Sequence, residues 1–141
     1  MVNVFFEDTE ILDLDPEFFV SWLSEVCRNH GKSMGEISLI FCSDNYLLNM
    51  DRTYLNHDYY TDIITFDYTN AEEVNGDLFI SADRVRENAA TMGEPLKKEL
   101  YRVVVHGVLH LIGFKDTSEE EKREMREQED WALTKIVSRG T

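Results

Sequence analysis

The longest stretch of regular apolar periodicity runs between Pro95 and Gly113 and predicts one long, half-buried helix. Proline suits the first turn of a helix and glycine suits its end, so both boundaries are marked. Apolar side chains recur on one side of this segment: Leu96, Leu100, Val104, Val108 and Leu111. In a chain of 141 residues, a helix of this size has to pack against one shared core.

Strand-like and helix-like segments alternate along the rest of the chain. Segments rich in β-branched and aromatic residues predict four strands, at 2–6, 36–42, 62–68 and 77–81. Asn75-Gly76 predicts a turn before the fourth strand. Capping residues and periodicity predict further helices at 16–30, 44–54, 82–92 and from 118 onward. We therefore expect residues 1–141 to form a single α+β domain, a mixed four-stranded β-sheet flanked by about five helices, with the strand order left open.

The composition excludes several classes of protein. A hydrophobic fraction of 43% is too high for a disordered chain, and the purely apolar runs are too short to cross a membrane. Residues 1–10 contain three acids and no lysine or arginine, which excludes a secretory signal or a transit peptide. We therefore expect a cytoplasmic protein without membrane association, in which Cys27 and Cys42 stay reduced.

The net charge of −14 argues against a general nucleic-acid binder, because phosphate contacts need lysine and arginine. The charge is unevenly distributed, however, since residues 84–115 contain six bases and three acids. Five of these bases are candidates for contacts with RNA phosphates: Arg84, Arg86, Lys97, Lys98 and Arg102. The competing interpretation is an ordinary solvated helix face.

Two histidines on the long predicted helix indicate a metal site. His106 and His110 are four residues apart and therefore lie on one face, where both imidazoles can reach the same ion. Gly113 allows the chain to reverse, which can bring Asp116 back to the same point. The spacing is that of the metzincin zinc helix, with a carboxylate as the third ligand. The sequence thus predicts a site formed by His106, His110 and Asp116.

The ligand set and its neighbours restrict the chemistry. Two imidazoles and one carboxylate suit Zn²⁺, Ni²⁺, Co²⁺ or Fe²⁺, and the set alone does not choose among them. His57 is an alternative third ligand, although it is distant in sequence. Zinc proteases place a glutamate base directly after the first histidine, but that position here is Gly107, so a protease of this type is disfavoured.

Residues 106–116 resemble the H-G-x-L-H-L-x-G-x-D-H signature of the YbeY family, bacterial endoribonucleases of rRNA maturation with a zinc-type site. Two strand segments are also similar to the family, 59–66 to its P-T-D-V-L-S-F stretch and 75–81 to its L-G-D-I-x-I-S stretch. Residues 121–129 resemble the acidic helix that follows the motif in the family. The resemblance covers roughly residues 36–130.

This resemblance implies a metal-dependent endoribonuclease with one Zn²⁺ ion held by His106, His110 and Asp116. It implies a role in rRNA maturation, especially at the 3′ end of the small-subunit rRNA, and in ribosome quality control. The implied partners are rRNA and the small ribosomal subunit, together with a ribosomal protein or an assembly GTPase. Asp62 is a candidate catalytic residue, as a proton acceptor or as a group that orients one; the alternative is an N-cap or turn residue.

The chain also departs from the family pattern. The family's third histidine falls on Asp116, the aspartate before it falls on Lys115, and a common arginine falls in the stretch Tyr54-Leu55-Asn56. A guanidinium is a natural partner for phosphate. Arg52, one helical turn away, is an alternative donor, although an ordinary solvated helix residue is the favoured interpretation of Arg52. These departures keep two other hypotheses open, a non-catalytic metal-containing ribosome-assembly factor and a metallohydrolase of another substrate.

Overall fold

The computed structural model describes residues 1–55 and 61–137. Its elements are, in chain order, β1 (Val2–Phe6), α1 (Pro16–Asn29), β2 (Ser33–Cys42), α2 (Asp44–Met50), a π-helical turn (Asp51–Leu55), β3 (Ile63–Asp67), β4 (Glu73–Ser81), α3 (Ala82–Met92), α4 (Leu96–Ile112) and α5 (Glu119–Val137). The predicted α+β class is confirmed, with four strands and five α-helices in the part of the chain described.

The four strands form one mixed sheet in the order β1-β2-β4-β3. β1 and β4 both run parallel to β2, whereas β3 pairs antiparallel with β4. One face of the sheet packs against α1, α4 and α5 to form the main core. The buried Trp22 indole in α1 donates a 2.8 Å hydrogen bond to the Ala132 carbonyl of α5, which ties these two helices together. A smaller apolar cluster on the other face includes Leu47 of α2 and Ile64 of β3.

The predicted turn at Asn75-Gly76 is wrong, because both residues lie inside β4. The Asn75 side chain accepts a 2.8 Å hydrogen bond from the Glu36 amide, where the register between β2 and β4 shifts. A Cβ atom on Gly76 would lie 2.8 Å from Leu111 of α4. Asn75 therefore stabilises an irregular pairing of two strands, and Gly76 allows α4 to approach the sheet closely. Asparagine and glycine can have these roles inside strands as well as in turns.

Both cysteines are buried and free, in agreement with the expected reduced state. Burial raises the pKa of the Cys27 thiol to about 11 and that of the Cys42 thiol to about 12, so both remain protonated near neutral pH. Among the described residues, no helix combines the length and the apolar character needed to cross a membrane.

Candidate metal centre

Helix α4 carries both histidines and lies unusually close to the sheet at Gly107. A Cβ atom at this position would come within 2.7 Å of Ile63 and 3.0 Å of Leu78. Residue 107 therefore faces the core, and a glutamate there has no space and no path to the histidines. The close packing explains why the base position of zinc proteases is occupied by glycine in this chain.

The three predicted ligands come together at the end of α4. The Nε2 atoms of His106 and His110 are 3.1 Å apart, and Asp116 Oδ2 lies 3.2 Å and 3.5 Å from them. Asp116 returns to the helix because Gly113 adopts a φ of +126°, a conformation that other residues rarely adopt, and ends α4. All three side chains are partly exposed, so solvent or a substrate can reach the group.

Hydrogen bonds on the far side of each imidazole determine which nitrogen faces the group. His106 Nδ1 donates to Glu129 Oε2 over 2.7 Å, and His110 Nδ1 donates to the Phe114 carbonyl over 3.0 Å. Each neutral imidazole carries a single N–H, so both Nε2 atoms present lone pairs to one another and to Asp116. Outer hydrogen bonds of this kind orient the histidine ligands of metal sites.

This donor set fits a transition-metal ion. Two imidazole nitrogens and one carboxylate oxygen converge within 4.8 Å, and in this arrangement none of the three atoms offers a proton to the others. Three protein ligands with exposed side chains are typical of catalytic zinc sites, whereas structural zinc sites have four ligands and are closed. His106, His110 and Asp116 are thus the residues that could hold an ion.

Without an ion, the same geometry favours a proton at His106. Burial lowers the pKa of His106, but the hydrogen bond to Glu129 and the negative charges of Glu129, Asp116 and Asp62 outweigh this effect. The net result is a pKa above the ordinary value of 6.5. A proton and a metal ion would therefore compete for the same nitrogen.

Glu129 is the site residue that the sequence analysis missed. Its side chain is only 7% exposed, and its second oxygen accepts a 2.9 Å hydrogen bond from Arg102. In α5 it shares a buried stripe with Met125, Ala132 and Ile136, at spacings of four, three and four residues. An acidic residue on an otherwise apolar stripe is the signal that could have identified it.

Asp62 lies just before β3, where its carbonyl accepts a 2.9 Å hydrogen bond from the Ser81 amide at the end of β4. Burial raises the pKa of Asp62, the charge of His106 lowers it, and Glu129 raises it, so that the net shift is upward. Asp62 thus interacts electrostatically with His106, one of the three candidate ligands. Its catalytic role stays a prediction.

The five predicted phosphate contacts occupy different surroundings. The three arginines all form ion pairs within the protein: Arg84 with Asp44 and Glu87, Arg86 with Glu10, and Arg102 with Glu129 and Asp130. Lys98 pairs with Glu94 at the surface, and Lys97 makes no ion pair with any described residue. Lys97 and Lys98 are also exposed, whereas the three arginine side chains are only 31%, 33% and 13% exposed, so the two lysines are better placed to meet an anion.

Several residues from the sequence analysis lie outside the described part. His57, the alternative third ligand, is one of them, and so are Asn56, Tyr59 and Tyr60 of the family-like segments. Leu55, at the position of the family's arginine, ends the π-helical turn with 41% of its surface exposed.

The fold and the site together define a mixed-sheet α+β protein with a two-histidine, one-aspartate candidate metal centre. The sequence model of the family described as "Endoribonuclease YbeY" matches residues 5–137. The chain belongs to this family.

Individual relatives agree with this assignment. "Endoribonuclease YbeY" of Porphyromonas gingivalis is 44% identical over 135 residues, which cover 96% of this chain and 89% of the relative. The protein of the same name from Flavobacterium psychrophilum is 50% identical over 115 residues, or 82% of each chain. The solution structure of TM1509 from Thermotoga maritima matches with a TM-score of 0.63 at 23% identity, covering 99% of this chain and 93% of that one, and supports the fold.

Proposed function

We propose that this protein is a metal-dependent endoribonuclease that processes ribosomal RNA. The observation that carries the proposal is the convergence of His106, His110 and Asp116, with both histidines oriented by hydrogen bonds from behind. Membership of a family whose relatives are named endoribonucleases supports the RNA substrate.

When bound at this site, a divalent ion supplies Lewis acidity to a phosphodiester oxygen and to a water molecule. The residues of the protein orient the histidines and accept a proton. Glu129 keeps the His106 proton on Nδ1, and the Phe114 carbonyl does the same for His110. Asp62 is proposed to accept a proton, because its raised pKa makes it a stronger base than an ordinary aspartate.

The finer parts of the proposal follow the resemblance to the family. The resident ion is proposed to be a single Zn²⁺, and residues 1–141 are proposed to act as one catalytic domain. The substrate is proposed to be the precursor of the small-subunit rRNA, cut near its 3′ end in the cytoplasm. The proposed partners are the small ribosomal subunit and a ribosomal protein or assembly GTPase, because an acidic protein with a net charge of −14 needs help to approach RNA.

Cleavage of small-subunit rRNA precursor by protein purified without an affinity tag tests this proposal. Wild type should release a shorter 3′ end, and His110→Ala should not. Lys122→Gln, on the exposed surface of α5, is a matched control that should behave as wild type. Equal cleavage by wild type and His110→Ala would contradict the proposal, whereas ribosomal-subunit binding without cleavage would favour the assembly-factor hypothesis.

Elemental analysis identifies the ion independently of activity. Wild type should contain close to one equivalent of a transition metal, and Asp116→Ala should contain much less. A wild-type content below about a tenth of an equivalent would overturn the metal site.

A further inference from the structure

A second site lies on the same helix as the metal centre. A cavity of about 690 Å³ opens between α1, the first turns of α4 and the end of α5. Its apolar wall consists of Phe18, Phe19 and Tyr101, with Leu133 and Ile136 from α5. None of the three predicted metal ligands lines this aromatic cavity, whose volume is in the range of small-molecule sites.

The aromatic rings of the cavity hold one another in place. The Tyr101 ring centroid lies 5.2 Å from that of Phe18 and 5.9 Å from that of Phe19, and Phe18 stacks on the buried Trp22 at 5.8 Å. Phe18 and Tyr101 are only partly buried, so part of each ring faces the cavity. Flat aromatic surfaces that are already fixed are suited to stacking with a nucleobase.

The rim of the cavity carries opposite charges on its two sides. Lys97 and Lys98 lie on the α4 side, and Asp13 and Asp15 lie on the α1 side. The pair of Lys98 with Glu94 is exposed to solvent, where such a pair contributes little free energy and is easily exchanged. A nucleotide matches this pattern, because its phosphate suits the two ammonium groups and the amino group of its base can donate to a carboxylate.

We propose that the aromatic cavity binds one nucleotide of a single-stranded RNA, with the base against Phe18 and Tyr101 and a phosphate at Lys97 and Lys98. The inference rests on the proposed function, because it adds a contact for the same substrate away from the reacting bond. It also explains how an acidic protein could hold RNA without Arg84 and Arg102, which form ion pairs with acids of the protein itself.

The distance to the metal centre suits such a contact. Lys98 precedes His106 by eight residues, which is about 12 Å along the helix axis and about 80° around it. This rise corresponds to about three or four stacked nucleotides at roughly 3.4 Å each. Leu133 of the cavity wall lies one helical turn from Glu129, which contacts His106. The cavity would therefore hold RNA a few nucleotides from the cleaved bond.

Fluorescence anisotropy with a short, unstructured, labelled RNA measures the contact directly. The double variant Lys97→Gln/Lys98→Gln should lower the slope of log affinity against log salt by about 0.7, because the two lysines share one phosphate and each phosphate contact of a single strand contributes about 0.7. The double variant Lys122→Gln/Arg123→Gln removes the same charge from the exposed face of α5 and should leave the slope unchanged. Equal slopes for the two double variants would overturn the proposal.

The stacking part has its own measurement. In ¹H–¹⁵N spectra, AMP should shift the amides of Lys97, Lys98 and Tyr101 and bind at least about fivefold more tightly than ribose 5-phosphate. Tyr101→Leu should weaken AMP binding by a similar factor, with a thermal midpoint measured to show that the variant is folded. Equal affinity for AMP and ribose 5-phosphate would overturn the base contact, and dimer formation that blocks AMP would assign the cavity to a second copy and overturn the proposal.

Failure of this inference can be told apart from failure of the proposed function. His110→Ala should lose RNA cleavage and keep both RNA affinity and the AMP shifts. In the two-lysine variant, KM for RNA should rise while kcat stays near wild type. If wild type cleaves RNA and the two-lysine variant has an unchanged KM, the nucleotide site in the cavity is ruled out and the proposed endoribonuclease function stands. If the protein binds AMP but cleaves no RNA, the nucleotide site stands and the proposed function is ruled out.

Discussion

Two polar clusters in this protein contain similar side chains but differ in whether their hydrogen-bond acceptors are matched by donors. The strand-end cluster lies where β1, β2 and β4 end, and consists of Asp8, Ser43, Asp44, Ser81, Asp83 and Arg84. Asp8 accepts from the Ser43 amide and hydroxyl at 2.9 and 2.6 Å. Asp44 accepts from the Ser81 hydroxyl at 2.6 Å and from Arg84 Nε at 3.1 Å.

In the candidate metal centre, the acceptors that face inward have no matching donors among the three side chains. Its three inward atoms, on His106, His110 and Asp116, are all acceptors once the outer hydrogen bonds are made. In the strand-end cluster each of the carboxylates described has a donor from the protein itself, so the cluster stabilises the fold. Acceptors that face one another need a cation or a proton, so the metal centre is suited to binding. The two clusters are therefore distinguished by whether hydrogen-bond donors are available to their acceptors, and not by the number of acidic residues.

The largest expected difference between the clusters comes from removing one carboxylate from each. Asp116→Ala should lower bound metal and RNA cleavage by at least about 100-fold while the protein stays folded, because it removes a ligand. Asp44→Asn should leave metal content and cleavage near wild type and lower the thermal midpoint, because it weakens a structural network. Elemental analysis, cleavage assays and thermal unfolding measure both effects. A loss of bound metal in Asp44→Asn would contradict the distinction between a structural cluster and a metal-binding cluster.

Glu129 tests whether the outer hydrogen bond matters to the metal centre. Glu129→Gln keeps the shape of the side chain but removes the charge that favours the Nδ1 proton of His106. Metal affinity, measured by competition with a coloured chelator, should fall by about 10- to 100-fold. Asp130→Asn is the matched control, because Asp130 pairs with the same Arg102 and makes no hydrogen bond or ion pair with His106 among the described residues. An unchanged metal affinity in Glu129→Gln would show that Glu129 has only a structural role.

Gly107→Ala tests the close packing that positions the metal centre. The added Cβ meets side-chain carbons of Ile63 and Leu78 at 2.7 and 3.0 Å, and overpacking of this kind costs about 1–3 kcal/mol. The higher helix propensity of alanine offsets about 1 kcal/mol of that. We expect a small net loss of unfolding free energy, measured by denaturant titration, together with weaker metal binding because α4 has to shift. A more stable variant with unchanged metal affinity would contradict the role assigned to Gly107.

Ser81→Ala tests the strand-end cluster alone. Ser81 accepts from the Arg84 amide as the N-cap of α3 and donates to Asp44, so its loss should cost about 1–2 kcal/mol of unfolding free energy. Metal affinity should not change. Chemical denaturation and metal competition on the same preparation provide both numbers, and a loss of metal would show that the two clusters are coupled.

The two clusters should also respond to pH in opposite directions in metal-free protein. Hydrogen bonds from Ser43 lower the pKa of Asp8 below its ordinary 3.8, so this contribution to stability is present above that value and is lost as the pH falls through the lowered pKa. The pKa of His106 is raised above 6.5, so its contribution is complete below that value and is lost as the pH rises through the raised pKa.

Thermal midpoints of chelator-treated protein across the pH range would show both slopes. Asp8→Asn should remove part of the acid slope, and His106→Gln should remove the slope above pH 6.5. A slope above neutral pH that survives in His106→Gln would belong to another group.

Helix α4 and the convergence of the three candidate ligands were predictable because their determinants are local. Periodicity identified α4, and two histidines four residues apart on a helix share a face wherever the helix packs. The return of Asp116 depends on one glycine at a helix end. The role of Asn75-Gly76 was predicted wrongly, because turns and irregular strands use the same residue types and only the neighbouring strand distinguishes them.

The sequence by itself determined the α+β class, the helix that carries the histidines and the three converging candidate ligands. Only the tertiary structure determined which residues contact the three candidate ligands from other helices and which cavity lies next to them. Glu129 reaches His106 from another helix, 23 residues along the chain, and turns Arg102 from a predicted phosphate contact into part of an internal ion pair. Such pairings depend on how α4 and α5 cross, which no local pattern specifies. The same crossing forms the aromatic cavity and leaves Lys97 and Lys98 at its rim.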